Sequence, residues 1–167
     1  MKSFILTVLL SFNVSLYAQD ADCNCCDSPH QAFDFWLGTW EVSDKEGNPV
    51  GQNQIDKKEE GCLIEEHYSS LDSGFSGRSF NFYNSSLNQW EQLWVDNQGT
   101  YLHLRGNLVD GNMVLQGEQQ HEGMVRSDRI TWSKLQDGRV RQLWEQRQGQ
   151  ESWKVVFDGY YSKTVEP

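Results

Sequence analysis
Proline is scarce here, with 3 in 167 residues, and no low-complexity tract interrupts the chain. Set beside 7 Trp, 6 Tyr and 8 Phe, that excludes wholesale disorder, because a chain this rich in aromatics has apolar area to fold around. Positive charge is short as well: 14 Lys and Arg stand against 24 Asp and Glu, a formal charge of −10. Nucleic acid and anionic membrane, both polyanions, are thereby excluded as main partners. Beyond the first eighteen residues no apolar stretch approaches the ~20 residues that a bilayer span needs. No glycine-rich phosphate loop or dinucleotide fingerprint occurs. Gly74-Phe75-Ser76-Gly77 is not a G-x-S-x-G nucleophile elbow. No cofactor and no metal site are expected.

What is present begins with a targeting segment. In MKSFILTVLLSFNVSLYA a single Lys2 precedes an apolar run from Phe4 to about Val14, and Ala18 offers a small residue for cleavage. This is the layout of a secretory signal peptide, and it predicts export to a periplasm or beyond. Asp22 before Cys23 is not the small residue that lipidation requires. The expected organisation is a signal peptide over 1–18, a cysteine-bearing segment over 19–32 and one domain over 33–167, a length that can bury a real core.

Export decides how the cysteines read. Cys23, Cys25 and Cys26 cluster after the signal, and Cys62 stands apart. In an oxidising compartment these are disulfide candidates, with Cys62 tied to one of the first three. Four cysteines allow three complete pairings, and the sequence does not choose among them. A soft-metal site in the C-x-C-C run lacks a second spaced Cys or His pair.

Turn chemistry recurs along the rest of the chain. Glycines at 47, 61, 74, 99, 111, 123, 138 and 149 are 11 to 15 residues apart, save one gap of 25 that Asn84-Ser85-Ser86-Leu87-Asn88 divides. Between them apolar and polar residues alternate, as in Leu102 and Leu104, Ile130 and Trp132, and Trp153, Val155, Phe157 and Tyr161. Such spacing and period two predict short antiparallel strands. About ten fit between Trp36 and Lys163, in an all-β fold. An up-and-down sheet of that size removes its edges by closing into a barrel. The one helical signal is Ser28-Pro29-His30-Gln31, with Ser28 as N-cap and Pro29 in the first turn.

Phe33-Asp34-Phe35-Trp36-Leu37-Gly38-Thr39-Trp40 resembles the F-D-F-W-x-G-x-W opening of an uncharacterised, mostly bacterial family of exported domains. Gly61-Cys62-Leu63-Ile64-Glu65-Glu66, Gly77-Arg78-Ser79-Phe80-Asn81-Phe82-Tyr83 and Trp90-Glu91-Gln92-Leu93-Trp94 extend that resemblance over the mature chain. It implies a calycin-like barrel, similar to lipocalins, fatty-acid-binding proteins and nitrobindin-like haem proteins, and no established activity. The haem comparison would imply a ligating His near the C-terminal end, whereas the last His here is His121. Physically, Gly38 would let another backbone approach closely, and Trp36 and Trp40 would plug one end of the barrel.

Three strand faces mix aromatics with amides, which a dry core would not select. They are Trp90, Gln92 and Trp94; Gln142 and Trp144; and Phe75, Ser79, Asn81 and Tyr83, with Gly77 leaving room. Turned inward, they would line a cavity with apolar walls and a few fixed polar groups, the usual make-up of a small-molecule pocket. Asn81, Tyr83, Trp90, Gln92, Trp94, Gln142 and Trp144 are thus the ligand-binding candidates, and the expected partner is a small apolar or amphipathic molecule. Two alternatives remain. Glu65 and His67, on one strand face, could form an acid–base pair in a cofactor-free isomerase, cyclase or hydrolase. Or the domain could act through its outer surface in an envelope complex, its barrel merely filled. Oligomeric state is left open.

Overall fold
Asp110 and Gly111 show how turn chemistry builds this fold. Both have positive φ, 50° and 81°, and the flanking Val109 and Asn112 pair directly across the turn. That is the two-residue hairpin whose twist matches the strands on either side. Similar short connections join ten antiparallel strands in chain order: β1 Gly38–Ser43, β2 Pro49–Lys58, β3 Leu63–Ser70, β4 Ser76–Asn84, β5 Gln89–Asp96, β6 Tyr101–Val109, β7 Asn112–His121, β8 Met124–Lys134, β9 Val140–Gln148 and β10 Lys154–Lys163. Each strand pairs with its neighbours in sequence, and β1 pairs with β10, so the sheet closes. The fold is the all-β, ten-strand, up-and-down barrel that the sequence predicts. The structure is a computed structural model that describes residues 23–121 and 123–164. The signal-peptide reading of residues 1–18 lies outside the described residues. No helix among the described residues is long and apolar enough to cross a membrane.

One end of the barrel is stoppered. A helical turn, α1 (Ser28–Gln31), and a 3-10 turn at Asp34–Trp36 lie across it. Capping is shifted by one residue from expectation: Asp27, not Ser28, is the N-cap and accepts from the His30 amide. An Asp carboxylate there meets the exposed amides of the first turn and their partial positive charge. Phe33 stacks on Trp36 at 4.9 Å and meets the edges of Trp90 and Trp132 at 5.6 and 5.1 Å. Trp40 donates its indole N–H to the Trp36 carbonyl at 2.9 Å. Phe33, Trp36, Trp40 and Trp132 are wholly buried, each stabilising the fold by roughly 2–3 kcal/mol through apolar area removed from water. Trp36 and Trp40 form the predicted plug. Gly38 has a different reason from the one anticipated: its φ is 129°, and the nearest group is the Lys163 side chain, not another backbone. Only glycine adopts that conformation without strain.

The disulfides fasten this stopper. Cys25 bonds Cys62, and Cys23 bonds Cys26. Lys57 adds an ion pair to Asp34 at 2.8 Å, and Trp90 donates to the Pro29 carbonyl at 3.1 Å.

One face assignment needs correction. The pairing of β10 with β9 shifts between Val155 and Phe157. An extra residue in one strand inverts which side chains point inward. Phe157 and Tyr161 therefore face the interior, while Val155 is exposed and Trp153 lies outside under Arg129 and Arg147.

Candidate functional site
Above the aromatic stopper the interior changes character. A polar layer crosses the barrel, built from inward positions of β2 to β5. Glu66 Oε1 accepts from Asn53 Nδ2 at 2.7 Å, and Oε2 from the Ser79 hydroxyl at 2.5 Å. Asn81 Nδ2 donates to the Ile64 carbonyl at 3.1 Å and to Ser79 Oγ at 2.8 Å. Because a backbone carbonyl can only accept, the Asn81 nitrogen is fixed there and its Oδ1 must face Gln92. Gln92 Nε2 meets it at 2.9 Å. Gln92 Oε1 is consequently turned the other way, buried and without a partner. A buried acceptor left unmade is costly, and Asn53 Oδ1 in the same layer is unpartnered too.

Across the barrel the same logic fixes Gln142. Its Oε1 accepts from the Trp132 indole at 3.1 Å and from the Tyr161 hydroxyl at 2.6 Å. An indole N–H is a donor only, so the oxygen lies on that side and Nε2 is what Gln142 has left for the interior.

A cavity of about 460 Å³ opens at the end away from the stopper, with Gln92, Gln142 and Glu66 in its lining. Its walls are chiefly Tyr68, Phe75, Trp94, Trp144 and Phe157. Gly77 makes room for Trp94: a Cβ there would lie 2.2 Å from the indole. Both wall tryptophans have their N–H tied to a carboxylate, Trp94 to Asp96 at 3.3 Å and Trp144 to Asp128 at 2.9 Å. With the polar edges so engaged, what the two rings offer the cavity is carbon surface and aromatic face.

Glu66 is the one carboxylate in this lining. Burial pushes its carboxyl up from 4.5 to about 7, against the lowering effect of its bonds from Ser79 and Asn53. Among the described residues no cation compensates it. Tyr68 and Tyr161 are raised too, first by burial and then by the nearby Glu66 charge.

The sequence candidates separate into three groups. Gln92, Trp94, Gln142 and Trp144 line the cavity. Asn81 sits beneath it, orienting Gln92. Tyr83 and Trp90 face inward but belong to the stopper, where Tyr83 meets His30 at 5.1 Å and Trp90 holds Pro29; α1 covers that end, so neither borders the hollow. Glu65 and His67 require a correction. Both point out of the barrel, His67 exposed and Glu65 paired with Arg78 at 3.1 Å. Strand alternation puts Glu66, not its neighbours, inside, so the proposed Glu65–His67 pair does not reach the cavity. A strip of Phe80, Leu93, Val95 and Tyr101 is exposed on the outer face of the barrel.

Glu66, which alternation sets on the face opposite Glu65 and His67, and Tyr68 are cavity groups outside the ligand-binding candidates. The signal was available, since Ile64, Glu66 and Tyr68 lie at i, i+2 and i+4 and the flanking pair is apolar in body. Among the described residues no group of three or more His, Cys, Asp or Glu is placed to hold a metal ion. The sequence matches no protein-family model and no curated protein.

Proposed function
We propose that this protein is an exported binding module that holds a small apolar or amphipathic molecule in the cup above its stopper. The observation that carries the reading is an aromatic-walled cavity of about 460 Å³ whose lining includes Gln92, a residue with a buried and unpartnered acceptor. That volume lies within the range typical of ligand pockets, roughly 300–1,000 Å³. Two disulfides that pair all four cysteines fit an oxidising compartment, and with the N-terminal apolar segment they support export. The resemblance to the exported F-D-F-W-x-G-x-W domains points the same way and carries the calycin-like comparison with it.

Native mass spectrometry of protein purified from its own host tests this. A bound mass released on unfolding is the expected result. A ligand-free protein that also fails to take up any apolar or amphipathic fluorescent probe would overturn it. Ser70, on the cavity lining, supplies the control: Ser70→Trp should abolish uptake while the protein stays folded.

A further inference from the structure
We propose, resting on the reading of the cup as a small-molecule site, that its ligand is an organic amine bound as an ammonium ion, its charged end at Glu66 and Gln92 and its apolar part between Trp94 and Trp144.

The argument starts from what the cavity offers. Its lining contains one acid, Glu66, and no Lys, Arg or His. Arg126, inward on β8, is already engaged by Asp128 at 3.4 Å and by Gln119 at 2.9 Å. An anionic guest, such as a fatty carboxylate, would meet no counter-charge and one like charge. Gln92 Oε1 and the Glu66 carboxylate are acceptors, and the bonding directions traced above prevent Gln92 from presenting its nitrogen instead. An ammonium group is a donor on every hydrogen and supplies what both lack.

The walls agree. Trp94 and Trp144 have their N–H groups bound to Asp96 and Asp128, which leaves carbon surface and aromatic faces, with their negative quadrupoles, for a guest. Such faces attract cations, tryptophan most strongly. Gln142 Nε2 provides a donor for a hydroxyl or carbonyl elsewhere on the molecule.

Glu66 itself favours a cationic guest. It is 3% exposed; its hydrogen-bond partners, Asn53 from β2 and Ser79 from β4, are neutral, and the titratable groups that feel its charge are Tyr68 on its own strand and Tyr161 on β10. A buried carboxylate without a counter-ion resists ionisation, and its carboxyl stands at about 7. An ammonium in the cup would pair with it.

Isothermal titration of the disulfide-bonded protein with three matched probes, naphthylethylamine, naphthylethanol and naphthylacetate, tests the inference at about pH 8, where Glu66 is ionised. The amine should bind at least about ten-fold more tightly than the alcohol, and the carboxylate most weakly. Glu66→Gln should bring the amine down to the level at which the same variant binds the alcohol. If the alcohol or carboxylate binds as well as the amine, or if the amine's advantage survives in Glu66→Gln, the ligand class is wrong while the cup stands as a binding site. If none of the three binds, both readings fall.

Discussion

Replacing Glu66 with Gln removes the only charge in the cavity lining and should make the protein more stable at neutral and alkaline pH. The folded protein holds the Glu66 proton up to about pH 7, whereas the unfolded chain releases it near 4.5. Between those values the native state binds more protons than the unfolded one, so stability falls as pH rises through the window and levels off above it. At about 1.4 kcal/mol for each pH unit separating the two values, the loss approaches ~3 kcal/mol. Gln cannot ionise, and it presents Asn53 and Ser79 with one acceptor and one donor, much as the protonated carboxyl does. Urea unfolding followed by tryptophan fluorescence would therefore give profiles that diverge with pH. At about pH 4 the variant and the wild type should differ by a small offset. By about pH 8 the variant should have gained up to ~3 kcal/mol relative to the wild type. Parallel profiles across that range would refute the claim that Glu66 is buried without a counter-charge.

Glu91 titrates with the opposite sign. Burial pushes its carboxyl up, but bonds from Asn84, His103 and Arg105 outweigh that and hold it down at about 2; its contribution is thus complete above 4.5 and fades as pH drops toward 2. Glu91→Gln should lower the melting temperature at about pH 6 and lose that deficit as the sample is acidified. Cys25→Ser with Cys62→Ser frees a separation of 37 residues and should cost about 4 kcal/mol by loop-closure entropy. Cys23→Ser with Cys26→Ser, spanning 3, should cost about 2 kcal/mol, both read by chemical denaturation without reductant; equal losses would contradict the stopper's dependence on Cys62. Gly77→Ala places a methyl 2.2 Å from the Trp94 ring, so near-ultraviolet circular dichroism should change and probe uptake should fall, while an unaltered spectrum would show that Trp94 does not sit where described.

The barrel was legible because its turns are written in residues that tolerate unusual backbone. Asp110-Gly111 and its counterparts mark strand ends, and the alternation between them says which face is buried. Where alternation is broken the reading fails. The shift in β10 moves Val155 outside and Phe157 inside, and nothing in Val155-Val156-Phe157 announces an extra residue. Depth along the barrel is equally silent. Tyr83, Trp90, Gln92 and Trp94 all obey the inward parity, yet two end in the stopper and two in the cup. What separates them is the packing of α1 and the 3-10 turn, a long-range arrangement that strand periodicity does not encode. Glu66 was the opposite case. Its neighbours Glu65 and His67 form a recognisable acid–base pair in the sequence, yet the face shared with Ile64 and Tyr68 is what sets Glu66 inside.

The pairing of β1 with β10 has a practical consequence. Trp40 lies opposite Lys163, and Thr164 bonds the Thr39 carbonyl at 3.0 Å, so the polypeptide leaves the barrel beside its first strand at the stoppered end. A tag or surface linkage grafted after Thr164 would emerge on the side opposite the entrance. Tethered that way, the molecule would stand with its opening toward bulk solution.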